Sequence, residues 1–152
     1  MIKFFVPCTL PSTTAQQKGV SIAVNHRTGR LSPMFYKKKK VAEAERMFDS
    51  MLASHAPQIP LYGPVEITIC MVWPPLKKDK SGKFSFKSTK PDFDNASKAI
   101  IDSMTRLGYW GDDAQIVRST ITKLHGPKHG LYIEIESAKI DSPDYFLKGM
   151  LV

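Results

Sequence analysis

The sequence predicts a single α+β domain, residues 1–152, with a mixed sheet of about four to six strands and two main helices. Three observations support this fold class. The length of 152 residues and the hydrophobic fraction of 42% suit one domain with its own core. Several short segments alternate apolar and polar residues, as half-buried strands do. Two longer segments repeat apolar residues every three or four positions, as amphipathic helices do.

The first half of the chain predicts three strands and one helix. Residues 2–6 read as a strand, and residues 20–24 and 31–35 flank a turn-rich spacer that indicates a hairpin. Apolar residues fall on one stripe of a helix at 39–54, which Pro57 ends.

The second half predicts, in order, a strand at 65–73, a polar loop at 76–89, a helix at 94–107, strands at 114–124 and 131–137, and a tail without a strong pattern at 138–152. Gly108 is expected to follow the second helix as its C′ residue. The polar loop is unusually long for a compact domain, and such loops are often functional.

Composition restricts the partner and the compartment. Lys and Arg number 22 against 14 Asp and Glu, which gives a net charge of +8 and favours a polyanionic partner. Cys8 and Cys70 lie too far apart for a close-spaced metal motif or a disulfide framework, so a reduced, cytoplasmic setting is expected. No stretch approaches the roughly 20 apolar residues of a membrane span, so we expect no membrane association.

The most informative segment is KPDFDNASK at residues 90–98. Asp92 and Asp94 point to the same side of an extended backbone, and Asp94 would also suit the N-cap of the following helix. Asp112 and Asp113 follow that helix after a turn, and one of them can complete a three-carboxylate site. Crowded carboxylates repel, and this density of hard oxygen ligands favours Mg²⁺, with Mn²⁺ as a substitute.

The helix continues the polar surface of this motif. Asn95, Lys98 and Asp102 share one face, and the opposite, buried stripe consists of Ala96, Ile100, Met104 and Leu107. Lys98 lies one helical turn beyond Asp94. It can steady a carboxylate, contact the scissile phosphate or stabilise the leaving oxygen.

Simpler interpretations exist for each part. Asp94 can be a plain helix cap, Asp112 and Asp113 can stand in a plain turn, and Lys98 and Asp102 can form a surface pair. An Asp-x-Asp pair also occurs in nucleotide-sugar transferases. The conjunction of all the parts is more specific than any one of them.

The segment 90–98, followed by Asp102 and Asp112-Asp113, resembles the signature of RusA-type Holliday junction resolvases. The resemblance is close over the motif at residues 90–116. These are small homodimeric endodeoxyribonucleases of bacteria, phages and prophages with a mixed α/β fold. The resemblance therefore implies a RusA-like fold, a homodimer and branched DNA, such as a four-way junction, as substrate.

The resemblance also assigns roles to residues. Asp92, Asp94 and Asp113 correspond to the essential metal-binding aspartates, and Asp112 is the other candidate of its pair. Lys98 corresponds to the catalytic lysine. No organic cofactor is implied.

Two groups of lysines are candidate DNA-binding residues because of their charge density. They comprise Lys37, Lys38, Lys39 and Lys40, and the loop residues Lys77, Lys78, Lys80, Lys83, Lys87 and Lys90. Phe84 and Phe86 alternate within the loop. They either pack into the core when the loop folds back, or act as a wedge that unstacks bases at a branch point.

The predicted function is a metal-dependent endodeoxyribonuclease that resolves Holliday junctions or related branched DNA by phosphodiester hydrolysis. Two alternatives come from other classes. One is a catalytically inert prophage DNA-binding protein that keeps only the basic surface. The other is an Asp-x-Asp nucleotidyl or glycosyl transferase, although the sequence contains no Gly-rich phosphate loop.

Overall fold

The computed structural model describes residues 1–11, 18–24, 27–37 and 39–139, which form seven strands and two helices. In chain order the elements are β1 (Ile2–Pro7), β2 (Lys18–Val24), β3 (Leu31–Lys37), α1 (Lys39–Ala53), β4 (Val65–Trp73), β5 (Ser85–Phe86), α2 (Phe93–Arg106), β6 (Ile116–His125) and β7 (Gly130–Ser137). A short 3-10 helix at Asp113–Gln115 precedes β6. The predicted tail, from residue 140 onward, lies outside the described residues.

Five strands form one mixed sheet in the order β1-β7-β4-β6-β5. The central strand β4 runs parallel to β6 and antiparallel to β7, and Ile69 faces Ile121 on one side and Ile133 on the other. Strands β2 and β3 form a separate antiparallel hairpin. The mixed sheet and the two helices confirm the predicted α+β class.

Both helices pack on one face of this sheet. Side chains alternate between the two faces of a strand, so every second residue of β4 and β7 points into this core. These residues are buried: Ile67, Ile69, Met71, Ile133 and Ile135. The helices contribute Leu52 from α1 and Ile100 and Met104 from α2, all with no exposed surface. This layer fixes α2 against the sheet and thereby sets the position of the residues at its ends.

The opposite face of the sheet is not covered by a helix of the described chain. An open, mainly apolar groove of about 560 Å³ runs along it, lined by Phe5, Thr68, Cys70, Val72, Phe84, Leu124, Lys128 and Tyr132. The sheet thus has a buried face toward α1 and α2, called the inner face below, and an open outer face.

The structure corrects three local predictions. Helix α2 begins at Phe93, so Asp92 is its N-cap residue and Asp94 belongs to its first turn. Residues 113–115 are a 3-10 helix, and the following strand begins at Ile116. The polar loop contains the two-residue strand β5, which pairs with the end of β6. None of the helices in the described ranges is long and apolar enough to cross a membrane.

Candidate active site at the two ends of helix α2

The first acidic segment enters α2 at its N-terminus. Asp92 has an extended backbone (φ −64°, ψ 148°), and its carbonyl accepts the first helical hydrogen bond, from the Ala96 N–H at 3.1 Å. Its side chain makes no capping hydrogen bond. Asp92 and Asp94 are both exposed at the positive end of the helix dipole, where carboxylates are stabilised. Their carboxylates are therefore open to a ligand.

The backbone leading into this segment is held by a lysine from the sheet. Lys123 Nζ donates to the carbonyl oxygens of Thr89 at 2.9 Å and Pro91 at 2.7 Å. Lys87 lies beside it: its Nζ donates to Thr89 Oγ1 at 2.7 Å and sits 5.2 Å from the centre of the Trp73 ring. Burial, and then the charge of Lys123, lowers the pKa of Lys87.

Asn95 departs from the predicted polar face. It is buried, and its Oδ1 has no hydrogen-bond partner among the described residues. Buried side-chain oxygens are normally paired, so this orphan acceptor next to Asp94 is an unusual feature of the site.

The second acidic segment lies beyond the C-terminal end of α2 and is tied down by Gln115. Gln115 Oε1 accepts from the N–H groups of Gly111 at 2.8 Å and Asp112 at 3.2 Å. Its Nε2 donates to the carbonyls of Leu61 at 3.0 Å and Gly63 at 2.9 Å. One side chain thus fastens the acidic turn to the loop before β4.

The two aspartates of this turn have different surroundings. Asp112 is the N-cap of the 3-10 helix, and its Oδ1 accepts from the Ala114 N–H at 2.8 Å, with Gln115 closing the capping box. The exposed Asp113 carboxylate accepts no hydrogen bond within the described chain. The geometry therefore favours Asp113 as the functional member of the pair.

Lys98 lies between the two acidic segments. Its Nζ is 3.0 Å from Asp102 Oδ1, and the side chain stays 57% exposed. The hydrogen bond to Asp102 is the main cause of a raised Lys98 pKa, and the charge of Asp113 adds to it. An exposed ion pair of this kind contributes little to the free energy of unfolding. Its main consequence is that it holds the Lys98 ammonium in one position.

The next question is whether the acidic side chains come together as a metal site. Among the residues that the structure describes, no group of three or more His, Cys, Asp or Glu side chains is arranged to hold a metal ion. The donor chemistry of Asp92 and Asp94 nevertheless fits Mg²⁺, which commonly takes one or two carboxylates and completes its shell with water and substrate phosphates. The three-carboxylate site stays a prediction.

The loop lysines are solvent-facing. Lys77, Lys78, Lys80, Lys83 and Lys90 are exposed, and Lys87 is half-buried against Trp73. In the other group, Lys39 is exposed and lies 3.9 Å from Glu43, whereas the side chains of Lys37, Lys38 and Lys40 lie outside the described residues.

Phe84 and Phe86 are not core residues. Phe84 is 54% exposed and Phe86 84% exposed, and Phe86 pairs with Leu124 at the edge of the outer face. The Phe84 ring packs directly on Gly126, so a side chain at position 126 would require the ring to move. Phe84 lines the open groove, and Phe86, which pairs with the groove residue Leu124, lies on the same side of the sheet, away from α2. Packing into the core was thus a wrong alternative, and the wedge stays a prediction.

Sequence reasoning missed Gln115 and Lys123 as parts of the site. Gln115 carried a signal, because it follows Asp112 by three residues, which is the spacing of a capping box. Lys123 carried none, since it contacts residues more than 30 positions earlier in the chain.

Comparison with known proteins relates this arrangement to a family. The model of a family described as endodeoxyribonuclease RusA matches residues 13–136. A crossover junction endodeoxyribonuclease of Lactococcus phage r1t is 40% identical over 58 residues, which cover 38% of this chain and 44% of that protein. The crossover junction endodeoxyribonuclease RusA of Escherichia coli K12 is 44% identical over 39 residues, 26% of this chain and 32% of that protein. The matches thus span less than half the length of these curated relatives.

Proposed function

Because the chain belongs to the RusA endodeoxyribonuclease family, we propose that it is an endonuclease that cuts four-way junctions or related branched DNA. The observation that carries the proposal is the placement of exposed aspartates and Lys98 along α2, in a protein with a net charge of +8. Acidic groups of this kind are unexpected on a purely electrostatic DNA-binding surface, because they repel phosphate. A catalytic role gives a reason for their presence.

We further propose that cleavage requires Mg²⁺, for which Mn²⁺ can substitute. Asp92 and Asp94 would hold the ion, and Asp113 is a further candidate ligand. When bound, the ion supplies a Lewis acid and lowers the pKa of a coordinated water. Lys98 is held by Asp102 and would present a positive charge to the phosphate. This charge would stabilise the negative charge that develops on the phosphate oxygens in the transition state.

The lysines supply affinity in this proposal. Exposed side chains of the loop between β4 and α2 would neutralise backbone phosphates, which gives salt-sensitive binding with little dependence on sequence. A four-way junction is nearly two-fold symmetric, so a homodimer would present equivalent sites to two strands of like polarity. We place this activity in the cytoplasm of a bacterium or of a phage-infected cell, where the reduced state of Cys8 and Cys70 is maintained.

The proposal is tested with a synthetic four-way junction and a linear duplex of matching sequence. We expect paired nicks in the junction with Mg²⁺ or Mn²⁺, little nicking of the duplex, and binding without nicking in Ca²⁺, whose looser coordination misplaces the reacting groups. Asp94→Asn serves as the inactive control. Tight junction binding with no nicking in either metal would instead identify an inert DNA-binding protein.

A further inference from the structure

We propose that Lys123 is a positioning residue of the candidate active site, because its ammonium fixes the backbone that presents Asp92 and Asp94. The proposal rests on the proposed nuclease function for its catalytic consequence, although its structural content is independent of that function. Lys123 lies on β6, outside the 90–116 motif, and is not among the predicted DNA-binding lysines.

The direction of the Lys123 side chain follows from the alternation of β6. Leu124 lines the groove on the outer face, whereas Ile121 packs against the core. Lys123 shares the side of Ile121 and therefore points to the inner face, where α2 begins. Its position two residues from the end of β6 places the ammonium beside the segment that enters the helix.

Lys123 forms hydrogen bonds with this segment at two points. Its Nζ bonds the Thr89 and Pro91 carbonyls, which flank Lys90. Hydrogen bonds from an ammonium to a carbonyl are charge-assisted and stronger than neutral ones. Two anchors with one residue between them fix both the position and the direction of the chain immediately before Asp92.

The amino-acid sequence explains why a side chain performs this task. Pro91 has no backbone N–H, so the segment cannot form a regular ladder of hydrogen bonds with the sheet edge at this point. After Lys87, whose N–H bonds the Lys123 carbonyl at 2.9 Å, the chain leaves β6. Lysine suits these unpaired backbone carbonyls because its ammonium carries three donors and no acceptor.

Hydrogen bonds to two consecutive carbonyls then link the sheet to the helix. Lys123 holds the Pro91 carbonyl, Pro91 is buried, and the next carbonyl, of Asp92, accepts from Ala96 in the first turn of α2. Without Lys123 the Asp92 carboxylate would sample more positions relative to Asp94. Metal affinity and the catalytic rate would fall, while the folded core, which Lys123 does not enter, would persist.

The test compares Lys123→Met, which keeps the apolar stem and removes the donors, with Lys123→Arg, which restores a cation with several donors. Lys3→Met is the matched control, since it removes one lysine from a surface pair with Glu134 at the far edge of the sheet. We expect Lys123→Met to lower the nicking rate of the bound complex about 10- to 100-fold, the usual range for a group that orients a ligand. Lys123→Arg should recover part of the rate, and Lys3→Met should match the wild type.

Two measurements without DNA separate positioning from a general loss of charge. Mn²⁺ titrated into the free protein broadens the amide resonances near Asp92 and Asp94, and Lys123→Met should need several-fold more Mn²⁺ for the same broadening. Hydrogen exchange at the Ala96 amide should accelerate in Lys123→Met and stay unchanged in Lys3→Met. Circular dichroism confirms that each variant is folded.

Unchanged Mn²⁺ broadening and unchanged Ala96 exchange in Lys123→Met would overturn the proposal. So would weaker junction binding combined with a normal nicking rate of the bound complex, since Lys123 would then be only a phosphate contact. If the wild type nicks no DNA, the nuclease proposal fails, whereas the Mn²⁺ and exchange measurements still decide the role of Lys123.

Discussion

The two acidic segments of the site carry the same residue type but are held in different ways. The segment at Asp92 and Asp94 has no side-chain cap and is fixed from outside by the Lys123 ammonium. The turn at Asp112 and Asp113 caps itself and is fastened by four hydrogen bonds of Gln115. The second segment is therefore held partly by its own capping box and partly by the loop before β4, whereas the first has no cap of its own and depends on β6.

This difference separates a carboxylate used for capping from carboxylates that are open to a ligand. Within the rigid turn, Asp112 is occupied by capping and Asp113 is left open. At the start of α2, neither the Asp92 nor the Asp94 carboxylate accepts a hydrogen bond within the described chain. Three open carboxylates and one capping carboxylate give a pattern that substitutions can test.

The largest expected effect is the loss of an open carboxylate. Asp92→Asn, Asp94→Asn and Asp113→Asn should each lower the single-turnover nicking rate by at least about 100-fold, because a charged ligand becomes neutral. Junction binding in gel shifts should be unchanged or tighter, since negative charge near phosphate is removed.

Asp112→Asn is the internal control for this prediction. Asparagine is as good an N-cap as aspartate, so the turn should be preserved and nicking should stay within a few-fold of the wild type. If Asp112→Asn were as inactive as Asp113→Asn, the division between capping and open carboxylates would be wrong.

A smaller effect on the nicking rate is expected from removing the positive charge of Lys98. Lys98→Ala should reduce the single-turnover rate by about 100-fold with little change in junction affinity, because one electrostatic stabiliser is lost. The pKa of Lys98 is raised by Asp102, so the ammonium and its small pairing stability persist below pH 10.5 and are lost only above that value. The rate between pH 6 and 9 should therefore show no dependence on titration of Lys98.

Asp102→Asn completes this experiment. It keeps Lys98 but weakens its partner, so the rate should fall less than in Lys98→Ala. A collapse of junction affinity in Lys98→Ala, with a normal rate for the bound complex, would reduce Lys98 to a phosphate-binding residue.

The smallest effect on catalysis is expected from removing the Gln115 hydrogen bonds that hold the turn at Asp112 and Asp113. Gln115→Leu should lower the free energy of unfolding by about 1–3 kcal/mol, because the half-buried Leu61 carbonyl and the Gly111 and Asp112 N–H groups lose their partner. Nicking should fall by about 10-fold, since Asp113 becomes less well placed. Thermal unfolding and the junction assay measure the two quantities.

Gln115→Glu distinguishes the two halves of this side chain. It keeps the acceptor for the turn but loses the donors to Leu61 and Gly63, so it should lie between the wild type and Gln115→Leu in both measurements. A Gln115→Leu protein as stable as the wild type would show that the turn is fixed by other contacts.

Local patterns predicted most elements well. Alternation along residues 65–73 matched β4 at both ends, and Gly108 ends the helical segment with a positive φ of 77°, as expected of a C′ glycine. The N-cap of α2 was misassigned by two positions, because Asp92 and Asp94 are equally good caps by type and only the backbone selects one. The resemblance of residues 90–116 to the RusA family is confirmed by the family match.

The sequence by itself determined which residue types this protein contains and how they are spaced: its basic charge, its aspartates, Lys98 and the periodicity of its strands and helices. These properties are local, so neighbouring residues specify them. Only the tertiary structure decided that β4 and β6 run parallel, that the loop adds β5 to the sheet edge, and that Lys123 reaches the Thr89 and Pro91 carbonyls. These contacts join residues more than 30 positions apart, and the packing of the whole core selects them.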